Sequence, residues 1–134
     1  MIKKGDRYVH TVTYTQEQVV EFADASGDRN PIHLDAEFAS RTPFGRPIVH
    51  GFLAASVFSK VFGMLFPGEG TIYLSQQMKF LAPVFTGRPY TALFEVTEVD
   101  TVKHNALIST TLLDADGKEC IVGEAKLKNT KEFI

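Results

Sequence analysis

The sequence predicts a single α+β domain in which one long helix packs against an antiparallel sheet. Apolar residues recur at three- and four-residue steps from Leu53 to Leu65, which is the spacing of one helix face. Strand-like segments follow that helix, and the last two flank the Asp-Gly turn at Asp116 and Gly117. The length of 134 residues suits one domain with its own core, and no repeat or linker divides it, so we assign residues 1–134 to one domain.

The chain begins with a predicted strand and a capped helix. Arg7–Tyr14 alternates residue types that favour a pleated strand. Thr15–Gln18 has the form of a capping box, in which the side chains of the first and last residues bond each other's backbone N–H. We therefore expect a helix to begin there and to end at Gly27.

The segment after this helix is predicted to be irregular. Asp28 to His33 is expected to form an ordered loop rather than a helix, because Pro31 fixes its own φ and keeps its predecessor out of the α region. A short helical turn is expected after Asp35, with Phe38 and Ala39 facing the core.

The second half of the chain is predicted to hold the long helix and most of the sheet. The helix should be largely buried and end before Pro67, and its small residues should let a curved sheet approach on several sides: Ala54, Ala55, Ser56 and Ser59. The strands are expected to form an antiparallel meander: Thr71–Leu81, Tyr90–Val99, Asn105–Leu113 and Glu119–Lys128.

Composition excludes several classes of partner. The net charge is −2 and the Lys and Arg residues are scattered, so we expect no nucleic-acid partner. No apolar stretch has the length of a membrane span and no signal peptide is recognisable, so we expect no membrane partner. The single cysteine, Cys120, cannot form an internal disulfide, and a cytoplasmic protein is expected.

The strongest chemical signal is the pair Asp28 and His33. A carboxylate and an imidazole five residues apart, across a turn stiffened by Pro31, can aim at one substrate atom or one water. That is the form of a general acid/base pair. The alternative is structural, since Asp and Asn often bond their own backbone in turns and a lone His in a loop is usually only solvated.

The wider pattern favours the catalytic interpretation. Ser26–Asp35 reads Ser-Gly-Asp-Arg-Asn-Pro-Ile-His-Leu-Asp, and Phe44–Leu53 reads Phe-Gly-Arg-Pro-Ile-Val-His-Gly-Phe-Leu. Together with Gly70–Leu74, Pro83–Gly87 and Gly123–Ala125, these segments closely resemble the MaoC-like (R)-specific enoyl-CoA hydratases. The resemblance implies the hotdog fold, a long central helix wrapped by an antiparallel sheet. It also implies a homodimer with active sites near the subunit interface.

The resemblance also implies a reaction and a set of roles. The reaction is the reversible syn hydration of trans-2-enoyl-CoA to (R)-3-hydroxyacyl-CoA, with no cofactor and no metal. Asp28 and His33 are implied to be the catalytic pair that holds the water. Gly51, at the predicted N-terminus of the long helix, is expected to donate its N–H to the thioester oxygen, because unpaired N–H groups and the helix dipole favour negative charge there.

Supporting roles are assigned to residues near the motif and along the helix. The resemblance gives Ser59 the role of orienting the catalytic aspartate, and Asn30 is expected to fix the loop through backbone hydrogen bonds. Phe62 and Leu65 lie one and two turns beyond Ser59, so they are predicted to close the far end of an acyl pocket. His50 is expected to be structural. No basic residue is singled out to bind the coenzyme A phosphates.

Two other functions remain as alternatives. His33, Asp35 and His50 have the form of a two-His, one-carboxylate metal site, although a long helix directly after His50 does not suit the barrels that carry such sites. The second alternative keeps the hotdog fold but makes the protein an acyl-CoA thioesterase or an acyl-thioester binding module. Hotdog thioesterases often carry a carboxylate on the central helix, and the segment from His50 to Phe66 has none.

Overall fold

Five antiparallel strands and one long helix form the body of the molecule in the computed structural model, which describes residues 1–134. The predicted α+β class is confirmed. The elements are β1 (Arg7–Thr13), α1 (Gln16–Ser26), α2 (Pro31–Leu34), α3 (Ala36–Ser40), α4 (Gly51–Met64), β2 (Ile72–Phe80), β3 (Pro89–Asp100), β4 (Asn105–Leu113) and β5 (Glu119–Lys128). No helix is both long enough and apolar enough to cross a membrane.

Helix α1 begins and ends where the sequence predicts. The Thr15 hydroxyl accepts from the Gln18 N–H at 3.1 Å, and the Gln18 side chain accepts from the Thr15 N–H at 3.0 Å, which completes the capping box. Gly27 ends the helix in the left-handed conformation, with φ at 81°. The exit of the chain from α1 is therefore fixed immediately before Asp28.

The prediction that Asp28 to His33 contains no helix is wrong in its second half. Pro31–Leu34 forms a helical turn, because Asn30 caps it by accepting from the Ile32 N–H at 3.1 Å and Pro31 occupies the first position, where its fixed φ suits a helix. In the next short helix Ala39 is fully buried, as predicted, but Phe38 points outward and is 39% exposed.

Helix α4 buries one side against the sheet. Its buried residues are Ala54, Ala55, Val57, Phe58, Val61 and Phe62. The Tyr14 hydroxyl donates to the Ala54 carbonyl at 2.6 Å and fastens the helix to the end of β1. Of the small residues at which the sheet was expected to approach, Ala54 and Ala55 are buried, but Ser56 and Ser59 are exposed. A single chain leaves that side of α4 uncovered.

The sheet order is β1-β3-β4-β5-β2. Strands β3, β4 and β5 form the predicted meander, and Gly117, at φ 81°, lies in the turn between β4 and β5. Strand β2 pairs with β5 rather than with β3, so the meander does not include it. This pairing depends on Gly123, since a Cβ there would lie 2.1 Å from the Gln77 carbonyl oxygen.

Candidate active site

The two sequence motifs, Ser26–Asp35 and Phe44–Leu53, meet where the α1–α2 loop packs against the N-terminus of α4. The loop holds its shape through its own polar groups. The Asp28 N–H donates to the Ser26 hydroxyl at 3.0 Å, and the Asn30 N–H donates to the Asp28 carboxylate at 3.2 Å. Arg29 forms an ion pair with Asp24 of α1. These contacts place the Asp28 side chain at the surface, next to the buried rings described below.

His33 lies on α2 and is only 8% exposed. Its Nδ1 is 2.7 Å from the Ile48 carbonyl oxygen. A carbonyl can only accept, so Nδ1 carries the proton and Nε2 keeps a free lone pair. The backbone carbonyl of His33 accepts from the Gln16 side chain at 2.9 Å, which ties α2 to α1. The ring is thus held with one nitrogen free for chemistry.

The environment of His33 favours the neutral ring. Burial lowers the pKa of His33 below its ordinary value, and neighbouring His50 lowers it further. The Ile48 carbonyl and the Asp28 carboxylate oppose this by favouring the charged ring. The net result is a lowered pKa, so His33 is neutral at pH 7 and its Nε2 can accept a proton.

His50 stands between Asp28 and His33. It is 2% exposed, and its ring stacks on the His33 ring with centroids 3.9 Å apart and planes at 28°. His50 Nε2 is 2.9 Å from the Asp28 carbonyl oxygen. One ligand-type atom from each of Asp28, His33 and His50 lies within 4.8 Å of the other two. The structure therefore brings together the two predicted catalytic residues and places the His50 ring against them.

A cavity of about 380 Å³ opens beside His33 and reaches Gly51. Its other walls are mostly apolar and include Phe44, Phe80 and Val84. An apolar chain can fill such a cavity while its polar end meets His33 and the start of α4. The arrangement suits a substrate with an acyl group and one reactive polar centre.

Gly51 is the first residue of α4, as predicted. The His50 side chain makes no capping hydrogen bond, and the Gly51 N–H bonds to no group of the chain. The helix therefore presents an unpaired donor, with the positive end of its dipole, at the cavity wall. A Cβ on Gly51 would lie 2.8 Å from the Phe80 ring. Glycine keeps the approach to this donor open.

The other predicted site residues do not line the cavity at His33. Asn30 caps α2, in agreement with its expected role in fixing the loop. Ser59 is exposed and lines a second cavity of about 330 Å³ between α4 and β2, where it makes no hydrogen bond to Asp28. Phe62 is 1% exposed and Leu65 is 44% exposed, and neither lines the cavity at His33. The roles of Ser59, Phe62 and Leu65 stay predictions.

Sequence reasoning missed two residues of the site. His50 was expected to be structural, although a histidine directly before a helix is unusual where Ser, Thr, Asp or Asn normally caps. That departure from the usual capping residues was a usable signal. Phe80 forms a cavity wall against Gly51 from the end of β2, and no local pattern links these two segments.

The metal alternative fits the geometry poorly. Asp35 caps α3 by accepting from the Phe38 N–H at 3.0 Å, so it is not the carboxylate nearest the rings. Ring-nitrogen lone pairs lie in the ring planes, and the stacked, nearly parallel rings of His33 and His50 do not direct them at one point. His33 Nδ1 and His50 Nε2 also already face backbone carbonyls.

Comparisons with known proteins identify the family of this chain. The family described as "MaoC like domain" matches residues 2–116. The chain is 46% identical over 111 residues to an (R)-specific enoyl-CoA hydratase of Aeromonas caviae, covering 83% of each chain. It is 41% identical over 119 residues to a 3-hydroxybutyryl-CoA dehydratase of Methylorubrum extorquens, covering 88% of this chain and 74% of the relative.

Solved structures show the same fold. The (R)-hydratase of A. caviae involved in PHA biosynthesis superposes with a TM-score of 0.92 at 41% identity, covering 96% of this chain and 97% of the other. An R-hydratase of Pseudomonas aeruginosa in its unliganded form also superposes with a TM-score of 0.92, at 34% identity. The match covers 98% of this chain and 84% of the other. The architecture is therefore the hotdog fold, and the chain belongs to the MaoC-like family of hydratases and dehydratases.

Proposed function

We propose that the protein is an (R)-specific enoyl-CoA hydratase that adds water across trans-2-enoyl-CoA. The observation that carries the proposal is an apolar cavity lined by both His33 and Gly51, whose N–H is unpaired, with a ligand-type atom of Asp28 within 4.8 Å of one of His33. The relatives named above are hydro-lyases that act on, or are named for, acyl-CoA thioesters. Substrate class and product configuration in this chain follow from that similarity.

The geometry supports a syn addition through one water. The carboxylate of Asp28 and Nε2 of His33 accept hydrogen bonds from the two hydrogens of one water. The pair takes one proton from this water as its oxygen attacks C3 of the enoyl chain, and returns that proton to C2 on the same face. One C–O and one C–H bond form, one O–H bond and the C=C π bond break, and the pair is restored. General acid/base groups of this kind contribute about two to four powers of ten in rate.

Gly51 supplies the third role in the proposal. As the oxygen nucleophile adds to C3, negative charge moves onto the thioester oxygen. The unpaired N–H at the start of α4 donates to that oxygen, and the helix dipole has the right sign to stabilise it. The apolar walls lower the local dielectric and so strengthen this interaction.

The alternative hotdog functions lack comparable support. Helix α4 carries no carboxylate, so it offers none of the acidic groups that hotdog thioesterases often place there. A binding module would gain nothing from burying two imidazole rings beside Asp28, because buried polar rings cost free energy unless each polar atom is paired.

We propose also that the protein acts as a homodimer. Strand β2 is an edge of the sheet, and along it Ile72, Leu74 and Phe80 are 56%, 46% and 50% exposed. An apolar unpaired edge is a ready site for pairing with another chain. Sedimentation should give a dimer for the wild type and a monomer for Ile72→Lys. The control Val102→Lys, at a turn residue that is 87% exposed, should leave the dimer intact.

One assay separates the candidate functions. Purified protein is mixed with crotonyl-CoA, and loss of the conjugated thioester absorbance is followed together with release of free thiol. A hydratase removes the absorbance without releasing thiol, and this is the expected result. Thiol release in step with the absorbance loss would indicate a thioesterase, and binding without either change would indicate a binding module.

A further inference from the structure

His50 is a buried histidine that does not fulfil the usual task of its position. It precedes α4 but its side chain leaves the first N–H groups of the helix uncapped, whereas Ser, Thr, Asp or Asn at this position would accept a hydrogen bond from one of them. Its ring is instead directed at Asp28, 22 residues earlier in the chain, and the two are joined at 2.9 Å. Its place in the fold serves the loop of Asp28 rather than the helix.

The hydrogen bonds of His50 fix its tautomer. The Asp28 carbonyl can only accept, so His50 Nε2 carries the proton. His50 Nδ1 is buried and has no partner within the chain. Buried polar atoms are nearly always paired, and the exceptions call for a reason. An apolar residue at this position would avoid the unpaired nitrogen. The presence of histidine despite this cost indicates that the ring serves the neighbouring site.

His50 contacts or adjoins each residue of the proposed site. The His50 ring stacks on the His33 ring, with the ring centroids 3.9 Å apart. The ring of Phe22 in α1 also packs against it, with the centroids 4.8 Å apart. Its own segment also supplies the Ile48 carbonyl that sets the His33 tautomer, and Gly51 follows it directly. A shift of the His50 ring would therefore move His33 and Asp28 relative to Gly51.

We propose that His50 is a positioning residue, which holds the Asp28 backbone by its Nε2–H and the His33 ring by stacking so that both face one water. The proposal rests on the proposed hydration by Asp28 and His33. Misplacing reacting groups by about 1 Å can cost on the order of a hundredfold in rate, so loss of this support should lower kcat without removing any group that touches substrate.

His50 also acts on the titration of His33. Burial and the neighbouring His50 lower the pKa of His33, while the Ile48 carbonyl and Asp28 raise it. Asp28 and His50 are the titratable groups that act on this ring. Removing His50 should therefore raise the pKa of His33, and the acid limb of kcat/KM should move to higher pH.

Two substitutions separate the two contacts. His50→Phe keeps a flat ring to stack on His33 but has no donor for the Asp28 carbonyl. His50→Gln places an amide donor as many bonds from Cα as Nε2 but has no ring. We expect each variant to lose about tenfold or more in kcat on crotonyl-CoA with KM little changed, and to show the shifted acid limb.

The matched control is His104→Gln, because His104 Nδ1 also bonds a backbone carbonyl, that of Phe133, at 2.8 Å and lies outside the site. It should change neither kcat nor the acid limb. If the His50 variants lower only the unfolding midpoint, and leave kcat and the acid limb of the folded protein unchanged, His50 is merely structural and the proposal is wrong.

A measurement on the wild type serves if the variants do not fold. Nitrogen NMR of the labelled histidines should show the Nε2–H tautomer for His50 and the Nδ1–H tautomer for His33. An Nδ1–H tautomer at His50 would overturn the proposal. Absence of hydratase activity in the wild type would defeat the proposed function instead, and the NMR result would still decide whether His50 holds the Asp28 loop.

Discussion

The two ends of helix α4 are built differently. At its N-terminal end Gly51 has no side chain and its N–H is unpaired. The buried His33 ring, stacked on His50, lines an open cavity there. At the C-terminal end Phe62 is closed in by aromatic rings, edge to face, with centroids 5.2 Å from Phe94 and 5.3 Å from Tyr73. The first end leaves polar groups free, and the second fills its space with apolar contacts.

This difference separates chemistry from stability. Unpaired buried donors and acceptors cost free energy, so the N-terminal end is maintained at the expense of stability. Close packing of large rings at the C-terminal end supplies stability in return. We therefore expect substitutions at the two ends to affect different quantities. Those near Gly51 should lower turnover, and those near Phe62 should lower the free energy of unfolding.

Phe62→Ala should give the largest change in free energy. Removing a fully buried ring leaves a cavity, and the free energy of unfolding should fall by about 3–5 kcal/mol, measured by urea denaturation. Turnover of crotonyl-CoA per folded molecule should stay close to wild type. The sequence-based prediction that Phe62 closes the acyl pocket expects the ratio of activities on long and short enoyl-CoAs to change. Such a change with little loss of stability would contradict the division between the two ends.

Asp28→Asn should give the largest effect on turnover. Asn keeps the shape and can still accept from the Asn30 N–H, but it cannot take up a proton in the working range. We expect kcat to fall by about a hundredfold or more, roughly 2.7 kcal/mol, with the thermal midpoint nearly unchanged. His33→Ala should be comparably damaging, and the double variant little worse than either, because the two residues act as a unit.

The control for Asp28 is Asp35→Asn. Asp35 caps α3 through its side chain, and Asn caps helices about as well as Asp. This variant should keep both fold and turnover. If folded Asp28→Asn turns over nearly as fast as the wild type, Asp28 is not the base and its loop has only a structural role.

Gly51→Ala should have a smaller effect on turnover. The added methyl would lie 2.8 Å from the Phe80 ring. This is too close for a carbon–carbon contact, so the ring must move, either into the cavity or away from the sheet. We expect kcat/KM on crotonyl-CoA to fall by about tenfold, since the donor is obstructed but not removed. Gly63→Ala is the matched control on the same helix, where a Cβ meets nothing within 4 Å. It should leave turnover unchanged and stabilise the helix by up to about 1 kcal/mol. Equal turnover of the two variants would remove Gly51 from the mechanism.

Local sequence signals predicted the parts of the site that depend on neighbouring residues. The capping box of α1 and the end of that helix at Gly27 each follow from a few adjacent residues, and both are confirmed, as is the predicted position of Gly51 at the N-terminus of α4. Together they place Asp28 and His33 near the N-terminal end of α4. The resemblance to the hydratases predicted the family and the hotdog fold, which the comparisons confirm.

Features that depend on distant contacts were not predictable in the same way. Strand β2 pairs with β5 because Gly123 admits it, and nothing near β2 indicates this partner. The position of His50 between His33 and Asp28 arises only when two separate segments meet. Helical spacing places Phe62 and Leu65 beyond Ser59, but spacing alone does not determine which side of α4 the sheet covers.

The configuration of the product tests the central claim most directly. Protein treated exhaustively with a chelator is incubated with crotonyl-CoA, and the 3-hydroxybutyryl-CoA formed is analysed on a chiral column. Addition of water by Asp28 and His33 from one face, without a metal, predicts the (R)-product at the untreated rate. An (S)-product, or activity lost on chelation and restored by a divalent metal, would contradict it.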